Sequence, residues 1–316
     1  MTQQLVNTTS ATHSTPRRAA NKGARRPFRR IGVNAVFVGP GVILLGVMSL
    51  YPIFILVRMS LSSVDISNIV GDWPFVGLQN FADLFASTTF QSVVVQTLFF
   101  VAFVLVATMF AGLIVALALR PSRGFPLVTQ TALILVWTLP PVIVGQLWKF
   151  LLSSQGALNQ ALLALGLVDR PIPFLAQPST ALAAVAAVTV WVGVPFAALV
   201  IKSAMLDVSV EILDAAKVDG ANKVQVLTRI IIPMIRPTLL ILAVLTIVAA
   251  FKAFDLIYTM TKGGPGTSSS TIPYLGYITA FPGYQFGHAA AISVVAMIIV
   301  VGLAIAYIAA VRREEK

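Results

Sequence analysis

Long apolar runs, separated by short polar segments, dominate the pattern along the chain. Each of six runs can cross a bilayer, because about 20 apolar residues span the hydrocarbon core. In lipid a segment must satisfy its own backbone polar groups, and the strands of a membrane β-barrel would be half as long and alternate polar with apolar residues. The pattern therefore predicts an all-α membrane protein with six transmembrane helices. The predicted spans are residues 31–58, 90–119, 127–152, 180–206, 237–260 and 286–311.

The composition supports this prediction and excludes a soluble globular protein. Apolar residues make up 58% of the 316 residues and charged residues only 10%. Soluble domains carry roughly 25% charged residues. Cysteine is absent from the sequence, which excludes disulfides, thiol catalysis and thiolate metal sites.

Basic residues are concentrated outside the predicted spans, and their placement predicts the orientation. Of the formal net charge of +11, residues 1–30 carry +7. This Ser- and Thr-rich segment predicts a disordered cytoplasmic tail that meets anionic lipid rather than nucleic acid. The segments on one side of the membrane hold seventeen Lys and Arg against two on the other, so both termini are predicted to be cytoplasmic. Residues 31–311 then form the transmembrane domain, and 312–316 form a cytoplasmic C-tail.

The sequence lacks the clusters of titratable residues that an enzyme needs. No HExxH pattern, nucleophile motif or phosphate loop occurs, so we predict no catalytic residues, no metal site and no cofactor bound by this chain. Ionisable residues at membrane depth are functional candidates by default. Lys252 and Asp255 lie three residues apart on the fifth predicted span. Either they neutralise one another on one helical face, or they line a translocation path.

The polar segment between the fourth and fifth spans, residues 207–236, is the most unusual part of the chain. It predicts a short helix over 210–219, with Ser209 as the cap and Glu211 in the first turn. Four acidic residues within thirteen disfavour contact with an anionic leaflet. We therefore expect this segment to dock to another protein rather than to lie on the membrane surface.

Within this segment, "DAAKVDG", nine further residues and then "IIIP" resemble the EAA loop of ABC-importer permeases. That pattern is Glu-Ala-Ala, three residues, Gly, nine residues and Ile-x-Leu-Pro, so Asp here replaces Glu and Ile replaces Leu. In that family the loop is a coupling helix that inserts into a cleft of a cytoplasmic ATPase. The implied coupling residues are Asp214, Ala215, Ala216, Gly220, Ile230 and Pro233, and Glu211 in the first turn of the predicted helix is counted with them.

Further segments, in the same order and spacing, resemble the carbohydrate-uptake group of maltose-type and glycerol-phosphate-type permeases. They include "FVGLQNFADLF" at 75–85, "LPPVIVGQLWKFL" at 139–151 and "VWVGVPF" at 190–196. The resemblance implies a type I ABC importer in a prokaryotic inner membrane. Its parts would be two different permeases, an ATPase dimer that uses ATP and Mg²⁺, and an extracytoplasmic solute-binding protein. The implied cargo is a disaccharide, oligosaccharide, polyol or glycerophosphodiester, carried by alternating access.

In the maltose-type branch the permease itself holds the sugar halfway across the membrane. Carried over position by position, the aromatic contact falls on Trp137, which could also serve only helix packing, and the glycine of close approach falls on Gly193. The other implied pathway positions are Pro141, Thr189, Phe196, Thr246, Ala250 and Ala253. The residues leave one alternative open, an ion- or proton-coupled secondary carrier without an ATPase, for which Asp255 would be the candidate acid.

Overall fold

The computed structural model describes residues 30–119 and 125–314. The predicted tail 1–30, apart from its last residue, and the end of the C-tail 312–316 lie outside the described residues. The chain divides into two compact units, Met1–Pro52 and Ile53–Lys316. The described residues of the first unit are helical from Arg30 onwards, and the second unit contains the candidate site.

Helices account for the regular structure of the described residues, apart from one isolated bridge between Ser62 and Phe75. The helices are α1 (Arg30–Ser60), α2 (Gln79–Ala86), α3 (Thr88–Ala118), α4 (Phe125–Trp137), α5 (Pro141–Leu151), α6 (Ala157–Ala164), α7 (Pro178–Leu206), α8 (Val210–Val218), α9 (Lys223–Val226), α10 (Ile232–Met234), α11 (Arg236–Phe251), α12 (Asp255–Met260), α13 (Ile272–Ala280) and α14 (Phe286–Glu314). A π-helical turn, Leu227–Ile231, joins α9 to α10.

Five helical segments of the described residues are long and apolar enough to cross a membrane, judged by length and composition. They are Val38–Ser60, Thr88–Ala118, Pro178–Leu206, Arg236–Met260 and Phe286–Ile305. The bent pair Val128–Trp137 and Pro141–Leu151 supplies a sixth if it is counted as one span. The predicted all-α membrane fold is confirmed.

The third predicted span, 127–152, is not a single helix. It consists of α4 and α5, which are bent by 101° at the short break between them. Pro140 and Pro141 cause the break, because a proline has no N–H to continue the hydrogen-bond ladder of α4. Pro141 also suits the first turn of α5, where its missing N–H would have no helical partner.

The fifth predicted span, 237–260, is interrupted as well. α11 ends at Phe251 and α12 begins at Asp255, although neither proline nor glycine lies between them. At this break the Phe254 N–H donates to the Lys252 carbonyl oxygen at 2.8 Å instead of extending the helical ladder. Irregular backbone at membrane depth is tolerated where it is buried in protein or lines a cavity. Both breaks therefore mark places where a binding site can form.

α3 and α7 pack through small residues spaced four apart. A Cβ on Gly112 of α3 would lie 2.8 Å from the Ala197 Cβ on α7, and a Cβ on Gly193 would lie 3.2 Å from the Thr108 Cγ2. Small residues let helix backbones approach closely in lipid. Buried apolar side chains beside this crossing include Phe100, Val104, Val185, Val188 and Ile201. The crossing therefore forms much of the core of the second unit.

Candidate substrate cavity and coupling loop

A cavity of about 310 Å³ lies where the two interrupted helices meet α3 and α7. Its volume is within the range of small-molecule sites. All eight positions of the implied substrate pathway line this cavity, although they come from four helices and the break between α11 and α12. They are Trp137, Pro141, Thr189, Gly193, Phe196, Thr246, Ala250 and Ala253. Tertiary packing thus brings together residues that are distant in the sequence.

Trp137 and Phe196 form the aromatic side of the cavity. Their rings are stacked, with 5.4 Å between the centroids and 18° between the planes. Trp137 is the last residue of α4 and remains 50% exposed. Part of its indole is therefore free to contact the C–H face of a sugar ring, which is an apolar surface.

Two threonines of the implied pathway contribute hydroxyl groups with a fixed direction. The Thr189 hydroxyl donates to the Val185 carbonyl oxygen, and the Thr246 hydroxyl donates to the Leu242 carbonyl oxygen, each at 2.8 Å. Both hydroxyl oxygens keep lone pairs. Toward a ligand these side chains therefore act as acceptors, whereas the two alanines of the implied pathway add only methyl groups.

Lys252 and Asp255 both line the cavity, and both are exposed. They do not share one continuous helical face, because the helix is interrupted between them. Among the described residues they form no ion pair with each other. One positive and one negative charge therefore face the same cavity from the α11–α12 break.

Further residues line the cavity that neither the sequence pattern nor the resemblance singled out. They are Val104, Thr108, Val192, Leu245, Ala249 and Leu256. α3, which carries the first two, holds none of the implied substrate contacts. The only sequence signal was the spacing of Val104, Thr108 and Gly112 at intervals of four, which places them on one face of α3.

The predicted helix over 210–219 is observed as α8, but Ser209 does not cap it as expected. The Ser209 side chain accepts no hydrogen bond from the helix backbone, and its hydroxyl instead donates to the Glu211 carboxylate. This hydrogen bond lowers the pKa of the Glu211 carboxyl below its usual value. Glu211 therefore stays ionised in the first turn, where the helix dipole favours a negative charge.

The two alanines of the motif lie on different sides of α8. Ala216 is buried, whereas Ala215 is exposed. Glu211, Ala215 and Val218 follow one another at spacings of four and three, so they share one helical face. Val218 is 88% exposed. We call these three residues the outer face of α8.

The remaining motif residues shape the loop. Asp214 accepts a hydrogen bond from the Lys217 ammonium at 2.7 Å. Gly220 follows α8 with φ of +81°, in the left-handed region that favours glycine after a helix. Ile230 is half-buried in the π-helical turn, and Pro233 is exposed in α10. The motif thus combines residues that set the backbone path with residues that form an exposed surface.

A cavity at breaks in membrane-crossing helices is typical of membrane transport proteins. The chain belongs to the family described as binding-protein-dependent transport system inner membrane component, which matches residues 108–313. It is therefore a multi-pass inner-membrane permease of the ABC-importer type. This confirms the family that the sequence resemblance indicated.

Relatives and a solved structure agree with this assignment. The chain is 29% identical to the diacetylchitobiose uptake system permease protein DasB of Streptomyces coelicolor over 78% of this chain and 76% of that protein. It is also 29% identical to the trehalose/maltose transport system permease protein MalF of Thermococcus litoralis, over 74% of this chain and 79% of that one. A chain of a bacterial ABC transporter that imports the acidic polysaccharide alginate has the same fold, with a TM-score of 0.78 and 24% identity over 91% of this chain and 98% of that chain.

Proposed function

We propose that this chain is one of two permeases of an ATP-driven importer and passes a sugar or sugar-like solute through the cavity. One observation carries the proposal. The pathway positions implied by the resemblance come from four helices and a helix break, yet all of them line a single cavity. The relatives DasB and MalF belong to uptake systems for disaccharides, which supports a carbohydrate as the solute.

The lining of the cavity suits a hydroxylated solute. Trp137 supplies an apolar face, and the hydroxyl oxygens of Thr189 and Thr246 can accept hydrogen bonds. Lys252 is a donor and Asp255 an acceptor, so neighbouring hydroxyls of one neutral solute can satisfy both. Broken helices frame substrate sites in other transporters for a similar reason, because a break exposes polar groups at membrane depth.

The loop 207–236 provides the coupling to ATP. We assign the outer face of α8 as the surface that enters a cleft of the ATPase subunit, which binds and hydrolyses ATP with Mg²⁺. The present chain binds no cofactor and catalyses no reaction. Because the loop connects α7 directly to α11, a movement of α8 acts on two helices that line the cavity. Rocking of these helices as rigid bodies would open the cavity to alternate sides of the membrane.

The assembly places the chain in the lipid bilayer beside three kinds of protein partner. They are a second homologous permease, a cytoplasmic ATPase dimer and an extracytoplasmic solute-binding protein, and nucleic acid is not among the partners. The excess of Lys and Arg supports a cytoplasmic position for three segments. They are residues 1–30 before the transmembrane domain 31–311, the loop 207–236 within it, and residues 312–316 after it.

Reconstitution of the complete assembly tests the proposal. The chain is expressed with a second permease, an ATPase and a solute-binding protein from the same organism, placed in proteoliposomes, and assayed for uptake of labelled maltose, trehalose and diacetylchitobiose. We expect uptake of at least one sugar that requires both ATP and the solute-binding protein. Uptake of sugar by this chain alone, without ATP, would contradict the proposal and favour an ion-coupled carrier.

A variant of α8 tests the coupling surface. Val218→Asp places a charge on an 88% exposed apolar position of the outer face. We expect it to abolish uptake and the stimulation of ATPase activity by the binding protein, while the chain still inserts in the membrane. Val70→Asp is the matched control, because Val70 is 96% exposed and lies outside the loop and the cavity. Normal uptake by Val218→Asp would show that α8 does not dock to the ATPase.

A further inference from the structure

Thr108 of α3 presents a buried hydroxyl group at the edge of the cavity. The residue lines the cavity and is only 1% exposed. Its Oγ1 has no hydrogen-bond partner among the described residues. Burial of a hydroxyl without a partner is unfavourable, and such groups in native structures call for an explanation.

Five other threonine and serine side chains in the described helices avoid this cost. Each donates to the carbonyl oxygen of the residue four positions earlier, which is a common solution inside a helix. The pairs are Thr97 with Val93, Thr189 with Val185, Thr246 with Leu242, Thr259 with Asp255, and Ser293 with Ala289. Thr108 has the carbonyl of Val104 at the same spacing, yet its hydroxyl does not donate to it. Its hydroxyl hydrogen is therefore available to a ligand.

Gly193 of α7 lies directly beside this hydroxyl group. A Cβ at position 193 would lie 3.2 Å from the Thr108 Cγ2 and 3.4 Å from its Oγ1. Any side chain larger than hydrogen would therefore press on the threonine and cover its polar atom. Both residues line the same cavity, so no side chain at position 193 lies between α7 and the threonine.

We propose that Thr108 is a specificity-determining residue that donates a hydrogen bond to an oxygen atom of the transported solute. This proposal rests on the proposed sugar transport, and it specifies which side chains donate hydrogen bonds to the solute and which accept them. Thr189 and Thr246 use their own hydrogens within their helices, so they accept from the solute, whereas Thr108 donates to it. A solute that has both hydroxyl donors and hydroxyl or ether acceptors matches this arrangement, and sugars and polyols have both.

Two substitutions at Thr108 test this role, with uptake and thermal unfolding as separate measurements. Thr108→Val keeps the shape of the side chain and removes the hydroxyl, whereas Thr108→Ser keeps the hydroxyl. In the reconstituted assembly, with the sugar among maltose, trehalose and diacetylchitobiose that wild type transports, Thr108→Val should raise the half-saturating concentration about two- to tenfold. Thr108→Ser should stay close to wild type. The midpoint of thermal unfolding without sugar should be unchanged or higher for Thr108→Val, because a buried polar atom without a partner is removed.

Ser293→Ala is the control, because it removes a hydroxyl that is already bonded within α14 and lies outside the cavity. We expect it to leave the half-saturating concentration unchanged. If wild type transports a sugar and Thr108→Val does so with the same half-saturating concentration, the role of Thr108 is refuted and the proposed function stands. A lower unfolding midpoint for Thr108→Val would also refute it, because the hydroxyl would then stabilise the protein itself. If wild type takes up none of the three sugars, transport of a disaccharide by this chain is refuted, and the role of Thr108 in recognising one is refuted with it.

Discussion

Gly145 of α5 and Thr259 of α12 form a very close helix contact beside the cavity. A Cβ built on Gly145 would lie 1.9 Å from the Thr259 Oγ1 and 2.9 Å from the Thr259 Cβ. Thr259 cannot easily move away, because it is 5% exposed and its hydroxyl donates to the Asp255 carbonyl oxygen at 2.7 Å. Gly145→Ala must therefore push α5 and α12 apart. Since Pro141 begins α5 and Asp255 begins α12, this displacement would also move two walls of the cavity.

The expected cost follows from the size of the overlap. Insertion of extra carbon into a well-packed core typically costs about 1–3 kcal/mol. In domains of about 150–250 residues, 1 kcal/mol shifts the unfolding midpoint by about 2–4 °C, so Gly145→Ala should lower it by about 2–12 °C. Intrinsic tryptophan fluorescence of the purified protein in detergent, recorded during heating, measures this shift.

Two further variants separate the contact from a general effect of alanine. Gly145→Ala combined with Thr259→Ala should recover part of the lost stability, because the nearest atom, Oγ1, is removed. Gly302→Ala in α14 is the matched control, since no atom lies within 4 Å of a Cβ built there. It should leave the midpoint unchanged or raise it slightly, because alanine is the better helix former. A wild-type midpoint for Gly145→Ala would refute the close packing of α5 on α12.

Two other substitutions have defined outcomes. Asp255→Asn should lower sugar uptake by the reconstituted assembly while insertion stays normal, because it removes the negative charge from the cavity; unchanged uptake would contradict a role in the path. Asn159→Ala should lower the free energy of unfolding by about 1–3 kcal/mol, which a lower thermal midpoint would show. Asn159 is fully buried, and its side chain forms hydrogen bonds with the Ser153 carbonyl oxygen and with both backbone polar groups of Ile172. An unchanged midpoint would show that water replaces these bonds.

Local sequence determined the class of the protein and the loop that marks its family. Apolar runs such as 90–119 and 180–206 correspond closely to α3 and α7, because in lipid an apolar segment of that length has no stable alternative to a helix. The position of α8 followed from a polar segment between two such runs. Its Gly220 has a positive φ, which is the reason that glycine suits this position.

Only one of the two helix breaks could be predicted from the sequence. Pro140 and Pro141 are a local cause of the bend between α4 and α5, and the sequence "LPP" could have predicted it. The break at 252–254 contains neither proline nor glycine, so no local residue marks it, and α12 packs closely against α5 at Gly145 just after it. Because of this break, Lys252 and Asp255 do not lie on one continuous helical face.

The sequence by itself determined which segments enter the membrane, where the coupling loop lies and which types of residue could recognise a sugar. Only the tertiary structure decided that Ala215 is exposed while Ala216 is buried, and that Thr108 lines the cavity with a buried hydroxyl that has no partner. The physical reason is the range of the interactions. Apolar side chains avoid water, so a run of them can be recognised from neighbouring residues in the sequence. The surroundings of a single hydroxyl are set by helices that are far apart in the chain.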